Sequence, residues 1–497
     1  MAKQTDNPVA LVCSSGSALL NYYPAIAEAY YSNIPLLVIS ADRPQYLIDI
    51  GDGQTIRQKN VFANHIGFSA NLDNTIDNFT LLNKAFRILK KNGTPIHINV
   101  PFDEPLYETT TDVLIDTSKW TKETKKESLL SEEPLVVDEL QKFADIWNSS
   151  TKKMVLVGVN TPSEILQVQL DHIIKDPSVI VLTENTSNLV NYKFINSIDQ
   201  AIFAFSDVDF ENFKPDILLT FGGMIISKKI KQFLRKFQPD KHWHIGSTKA
   251  MDTFHCLSHH FPVSPTLFFS QFFFLSKTKE SEYQSDWLSV KNKRLTQHKA
   301  YIEKINFSDL KAFELINKHI ATDINLEFSN SSIIRYAQLF SWDKQQHISC
   351  NRGTSGIDGS TSTAVGVSVS SNKQTVFITG DISFFYDSNA LWNQYIPNNF
   401  RIILLNNSGG GIFRFIPGPT STNTLDYFET PHNKTAEQLC KMHNLDYQTA
   451  SNQQELSQIL SDFFKKNKKP KLLEIFTPKL QNAAILKAYF ECFISTK

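Results

Sequence analysis

Short apolar runs, most of them closed by Gly, Asn or Ser, recur along the 497-residue chain and alternate with longer mixed segments. Residues 9–12, 34–39 and 96–100 form the first group. Residues 154–157, 179–182, 217–221 and 242–245 form the second, and 346–350, 376–378 and 402–405 the third. Runs this short and this continuously apolar read as strands buried on both faces, the parallel-sheet pattern. Helix-like segments lie between them, at about 21–30, 360–370 and 388–395, and a charged helical stretch spans 279–318. Strand, Gly/Ser turn, helix, strand predicts an α/β chain of parallel sheets flanked by helices.

The polar, charged stretch 109–133 reads as a surface linker. It divides a first domain, 1–110, from a middle α/β domain, 135–310, with the linker placed at 111–134 and a last domain at 311–497. The length suits about three domains of ordinary size. The first domain opens on what reads as a buried strand at 9–12 with almost nothing before it, so it is expected to lack its N-terminal part. The middle domain has no GxGxxG, the usual sign of dinucleotide binding.

The richest chemistry lies in 374–412. The run 376–378 stops at Gly380-Asp381, and the run 402–405 stops at Asn406-Asn407, followed by Ser408-Gly409-Gly410-Gly411. Ligands of parallel sheets sit beyond the carboxyl ends of the strands. A carboxylate, an amide oxygen and a free carbonyl near Gly409 would make a hard-oxygen site there, suited to Mg²⁺ shared with a diphosphate. The loop Asn351-Arg352-Gly353-Thr354-Ser355-Gly356-Ile357-Asp358-Gly359 sits between a strand and a small-residue helix. It can turn Arg352 toward an anion with Ile357 as an apolar neighbour. Arg43 closes another strand; Arg335, Lys228 and Lys229 taken alone read as solvated charges, and His65 and His97 as packed residues.

Composition narrows the partners. Fifty basic residues balance fifty acidic ones, which argues against a polyanion binder and so against nucleic acid. Five scattered cysteines without ligand spacing suit reduced thiols and a cytoplasmic setting. No apolar run approaches the roughly 18 residues that span a bilayer.

Five strings carry a resemblance: SSGSALLNYYPAIAEA, ISADRPQYLIDIGDGQTIRQ, NRGTSGIDGSTSTAVG, GDISFFYDSNAL and NNSGGGIF. Together they resemble the MenD family of thiamine diphosphate (ThDP) enzymes, the 2-succinyl-5-enolpyruvyl-6-hydroxy-3-cyclohexene-1-carboxylate (SEPHCHC) synthases of menaquinone biosynthesis. The resemblance implies a three-domain ThDP-binding fold with pyrimidine-binding, middle and diphosphate-binding domains. It implies a transferase that decarboxylates 2-oxoglutarate and adds the succinyl semialdehyde carbanion to isochorismate. ThDP and Mg²⁺ (or Mn²⁺) are the implied cofactors, and a homodimer or homotetramer the implied assembly.

Residue by residue, the resemblance makes Asp381, Asn407 and the Gly409 carbonyl the metal ligands. It makes Ser355, Ile357, Gly380, Asp381, Ile382, Ser383, Asn407, Gly409, Gly410 and Ile412 cofactor-binding. Arg43, Gln54, Arg335, Arg352, Lys228 and Lys229 match catalytic or substrate positions. One family feature lacks a counterpart: the glutamate that contacts the aminopyrimidine lies upstream of the strand at 9–12, and Glu28 falls on the other side of the Ser/Gly loop. The sequence therefore leaves open a catalytically impaired form, another ThDP-dependent 2-oxoacid decarboxylase or carboligase, and a non-catalytic relative.

Overall fold

Parallel pairing throughout accounts for the apolar runs. The computed structural model describes residues 1–74, 77–104, 108–109, 111, 133–415 and 418–494. They fall into two compact units, Met1–Ser131 with Gly353–Ser355, and Glu132–Arg352 with Gly356–Lys497. The stretch read as a linker lies outside the described residues except at 111 and 133–134.

The first unit holds strands β1 (Val9–Cys13), β2 (Leu36–Asp42), β3 (Phe68–Asn71) and β4 (Ile96–Pro101) in the order β1-β2-β4-β3, all parallel. β1 corrects the expectation of a strand buried on both faces. Among the described residues it is an edge strand, its exposure alternates, and Val12 is 68% exposed. Its composition is apolar, but alternate positions are exposed among the described residues. β3 escaped prediction because four residues of mixed polarity, FSAN, carry no period.

In the second unit, β5 (Lys153–Val157), β6 (Val179–Thr183), β7 (Ile217–Phe221), β8 (Lys241–Ile245) and β9 (Leu257–Phe261) form a parallel sheet ordered β6-β5-β7-β8-β9. Alternate residues of one strand serve two cores: Val155 and Val157 pack with Trp147 and Leu170, while Met154 and Leu156 pack with Phe233 and Trp287. The aromatic segment after β9 is the helix Pro265–Phe272, whose Phe268, Phe269 and Phe272 are core residues. The charged stretch 279–318 is two helices, Tyr283–Lys304 and Asp309–His319. Ser308 Oγ caps the second by accepting the Lys311 N–H at 3.3 Å.

The remaining strands are β10 (Ile324–Phe328), β11 (His347–Cys350), β12 (Gln374–Gly380), β13 (Phe400–Asn406), β14 (Asp446–Ala450) and β15 (Lys471–Phe476), parallel and ordered β11-β10-β12-β13-β15-β14. β13 is buried at all seven positions. Ile403 and Leu405 join one core, Phe400, Ile402 and Leu404 the other. The helix expected at 388–395 lies earlier, at Asp381–Tyr386, with a 3₁₀ turn at Ser388–Leu391. The Asp387 carboxylate accepts the Ser362 N–H and hydroxyl, both at 2.8 Å, and ends the helix there. Because β11 and β12 flank β10 on opposite sides, the strand order reverses between β10 and β12, the position at which open parallel sheets hold ligands beyond their carboxyl ends.

Candidate active site

Register brings the two turn dipeptides together. Gly380 pairs with Leu405 across β12 and β13, so Asp381 and Asn407 leave adjacent strand ends. Asp381, 3% exposed, begins its helix, where an acidic group suits the amide-rich end. Its Oδ1 accepts the Ile382 N–H at 2.7 Å and its Oδ2 the Gly409 N–H at 2.9 Å. Gly409 adopts φ +146°, and a Cβ there would lie 2.8 Å from the Glu429 carbonyl oxygen, so no other residue fits. Asn407, 7% exposed, donates from Nδ2 to Asp309 Oδ2 at 2.9 Å; its Oδ1 is buried without a hydrogen-bond partner among the described residues.

Other groups close the site. His432 Nδ1 accepts the Lys434 N–H at 3.0 Å, while Nε2 lies 3.2 Å from Asp381 Oδ2 but off the hydrogen-bonding direction. Glu429 pairs with Arg414 at 2.6 Å and Lys479 at 2.9 Å. Burial raises its proton affinity, but these cations outweigh that and hold it below the ordinary glutamate value. Burial pushes Asp309 up to about 6, against hydrogen bonds from Thr477 and Asn407.

These groups fit a hard divalent cation. A buried carboxylate, an unpartnered amide oxygen and a glycine backbone offer oxygen ligands only. Among the described residues no cluster of three His, Cys, Asp or Glu side chains is arranged for a metal. A cation at Asp381 and Asn407 would thus draw the rest of its shell from a ligand's oxygens, as Mg²⁺ does with phosphate.

At the end of β10, Asn330 organises the flanking loop. Its Nδ2 donates to the Asn351 and Gly356 carbonyls, both at 2.7 Å, and its Oδ1 accepts from Arg352 Nη1 at 2.6 Å. Ser383 Oγ donates to the Ile357 carbonyl at 2.6 Å. Arg335 Nη1 donates to the Ser331 carbonyl at 2.5 Å. Burial lowers its proton affinity first, and the nearby Arg352 charge lowers it further. The structure thus groups Gly380, Asp381, Ile382, Ser383, Asn407, Gly409, Gly410 and Ile412 around two strand ends, with Ile357 tied in through Ser383. Arg335 and Arg352 share one electrostatic environment. Lys229, over the Phe203 ring at 4.4 Å, neighbours Asp199, and Lys228 is exposed.

Within the first unit, Arg43 Nη2 lies 3.5 Å from Gln54 Oε1, and Gln54 takes φ +55°. Ser355 is exposed with φ +62°. Glu28 accepts the N–H groups of Gly353 at 2.7 Å and Thr354 at 2.6 Å. His97 is packed: its Nε2 lies 2.8 Å from Ser40 Oγ, and burial lowers it to about 4.

Comparison with known proteins assigns the family. Two family descriptions match: "Thiamine pyrophosphate enzyme, N-terminal TPP binding domain" over residues 1–66, and "Thiamine pyrophosphate enzyme, C-terminal TPP binding domain" over residues 331–475. The chain is 50% identical over 495 residues to the 2-succinyl-5-enolpyruvyl-6-hydroxy-3-cyclohexene-1-carboxylate synthase of Flavobacterium johnsoniae, covering 99% of this chain and 88% of that protein. The synthase of Christiangramia forsetii is 52% identical over 516 residues, with the same coverage, and that of Porphyromonas gingivalis 36% identical over 522 residues, covering 99% and 87%. The chain belongs to the SEPHCHC synthase family.

In this SEPHCHC synthase family member, several residues around the site were not singled out from the sequence: Asp309, Asn330, Arg414, Glu429, His432 and Thr477. None follows a strand within a glycine-rich dipeptide, and Asp309 heads a helix distant in sequence. Arg414 alone carried a hint, as the first charge after the glycine run.

Glu184 is another. It lies just beyond β6, 3% exposed, and its carboxylate accepts the Ile226 N–H at 2.7 Å and the Ser227 N–H at 2.7 Å. These amides lead into the helix Lys228–Lys236 that carries Lys228 and Lys229. Burial raises Glu184 to about 7 despite those bonds, against an ordinary 4.5. The folded state therefore keeps this proton where the unfolded chain has lost it. The linked stability is full below about pH 4.5 and is lost as pH rises to about 7, a change of about 3 kcal/mol. Glu184→Gln removes this slope; denaturation midpoints from pH 4.5 to 7.5 will fall less steeply in the variant than in the parent.

Proposed function

We propose that this chain is a SEPHCHC synthase: with ThDP and Mg²⁺ (or Mn²⁺) it decarboxylates 2-oxoglutarate and joins the remaining four-carbon unit to isochorismate. The observation that carries the substrate class is the pairing of Arg335 and Arg352. Two guanidiniums held within range of one another, one of them part-buried enough to lose proton affinity, are stable neighbours when an anion completes them. Both substrates are carboxylates, and the names of the relatives identify the product.

ThDP, when bound, supplies the electron sink for decarboxylation. The chain's own residues do the rest. Asp381, Asn407 and the Gly409 carbonyl would hold the metal on the diphosphate, with Gly380, Ile382, Ser383, Gly410 and Ile412 lining that end. Ile357 and Ser355 belong to the cofactor loop. Arg335 and Arg352 orient carboxylates, Lys228 and Lys229 add charge from the middle sheet, and Arg43 and Gln54 carry the same reading in the first unit. Fixing both acids would limit the approach of the reacting carbons to one geometry.

Three sheets, within 9–101, 153–261 and 324–476, support pyrimidine-binding, middle and diphosphate-binding domains at 1–110, 135–310 and 311–497. A homodimer or homotetramer is supported by Tyr386, Trp392 and Tyr395, which stay exposed, Trp392 by 85%. Among the described residues no helix is long and apolar enough to cross a membrane. A cytoplasmic setting is supported by five free cysteines.

The test is mass spectrometry of the full chain with ThDP, Mg²⁺, 2-oxoglutarate and isochorismate. The expected product has the mass of both substrates less CO₂. Release of CO₂ with no isochorismate-dependent adduct would instead assign another 2-oxoacid decarboxylase or carboligase. Arg352→Ala is expected to raise KM for a carboxylate substrate about 10- to 100-fold, the loss of one charge-assisted hydrogen bond. Steady-state kinetics on each substrate in turn will identify which one it holds.

A further inference from the structure

We infer that Asp309 is a positioning residue: it sets which way round the Asn407 amide sits, so that an oxygen rather than an –NH₂ is left for the cation. The inference rests on the reading of Asp381 and Asn407 as metal ligands.

The two ends of an asparagine amide are nearly equal in size and opposite in polarity, so packing alone does not choose between them. Gly411 confines the group without orienting it: a Cβ there would lie 2.9 Å from Nδ2 and 3.2 Å from Oδ1 of Asn407. The chooser is the hydrogen-bond partner. Asp309 Oδ2 lies 2.9 Å from Asn407 Nδ2, and a carboxylate oxygen only accepts.

Asp309 is itself fixed by a ring of bonds whose directions are set by chemistry. Asn482 Oδ1 accepts the Asp309 N–H at 2.8 Å. Asn482 Nδ2 then faces the Thr477 hydroxyl at 3.1 Å and can only donate to it. Thr477 therefore turns its own hydrogen to Asp309 Oδ1, at 2.6 Å. Both carboxylate oxygens are acceptors, and a flipped Asn407 would set oxygen against oxygen in a buried site. Asn407 Oδ1 is thus left as the buried acceptor without a partner among the described residues.

This polarity argument makes a sharp prediction. In Asp309→Asn the new amide keeps its oxygen toward Thr477, which puts –NH₂ against the –NH₂ of Asn407. Asn407 must flip and present hydrogens to the cation. The double variant Asp309→Asn with Asn407→Asp restores a donor facing an acceptor and leaves a carboxylate oxygen for the metal, at unchanged net charge.

The measurement is Mn²⁺ affinity of the full chain with ThDP and no substrate, read from the paramagnetic resonance of free Mn²⁺. Asp309→Asn is expected to weaken Mn²⁺ by about 10- to 100-fold, and the double variant to recover most of that loss. Asp309→Asn within two-fold of the parent, or a double variant no better than the single one, would overturn the inference. Should Asp309→Asn not fold, the double variant decides alone: folded and Mn²⁺-binding supports the inference, otherwise it fails. A parent that binds no Mn²⁺ with ThDP overturns the metal-site reading and the inference together. A parent that binds normally beside an unaffected Asp309→Asn overturns only the inference.

Discussion

Asp381→Ala is expected to lower turnover by about 10³-fold or more, the scale of several kcal/mol that a metal clamp supplies. The argument is local. Asp381 is the only carboxylate among the proposed ligands, and it also accepts the Gly409 N–H, so its loss removes a metal ligand and releases the glycine that offers another. The fold is expected to survive, because the same helix keeps Phe384 in the core. Asp381→Asn separates the two roles: the amide oxygen still accepts from Gly409, but the charge is gone. Calorimetric titration of ThDP with and without Mg²⁺ is the check. The parent should bind ThDP in a metal-dependent way, Asp381→Ala should not, and Asp381→Asn should fall between them. Full metal-dependent binding by Asp381→Ala would remove Asp381 from the ligand set.

Arg401→Met is expected to destabilise the chain by about 4 kcal/mol, the cost of leaving several buried acceptors unpaired. Arg401 is fully buried inside β13. Its guanidinium donates to four carbonyls: Phe463 at 2.9 Å, Asn398 at 2.7 Å, Phe400 at 3.0 Å and Lys465 at 2.6 Å. It ties the start of the central strand to the end of the helix Gln453–Phe463. Methionine fills much of the volume but satisfies none of the four carbonyls. Arg401→Lys should recover a minority of the loss, since an ammonium cannot reach all four from one point. Denaturant unfolding followed by circular dichroism will rank parent, Lys and Met in that order. Because Arg401 lies at the far end of β13 from Asn407, ThDP affinity of the folded fraction should not change.

Much of the fold was legible because burial on both faces leaves a continuous apolar run. Residues 402–405 could scarcely be anything other than a central parallel strand, and 154–157, 179–182 and 217–221 followed the same logic. The strands that escaped, β3, β9, β10, β14 and β15, fail that test in different ways. β14 is DYQTA, an edge strand with little apolar content, and β9 contains two histidines. The strand at 9–12 shows the reverse error: apolar composition without burial. The helix placed at 388–395 was displaced because its stop signal is a tertiary contact, Asp387 with Ser362, which no local period encodes.

The same division holds at the site. The sequence by itself determined that a carboxylate and an amide would stand at two strand ends, because Gly380-Asp381 and Asn406-Asn407 each close an apolar run. Its motif strings also determined the family. Only the tertiary structure decided which groups surround those two side chains. Asp309 reaches Asn407 from a helix far away in sequence and is itself held by Thr477, which Asn482 orients, and Glu184 faces Ile226 across more than forty positions. Strand identity is a matter of local composition and period. The polarity of a buried amide, or the proton affinity of a buried acid, depends on partners that meet only when distant segments pack and exclude water.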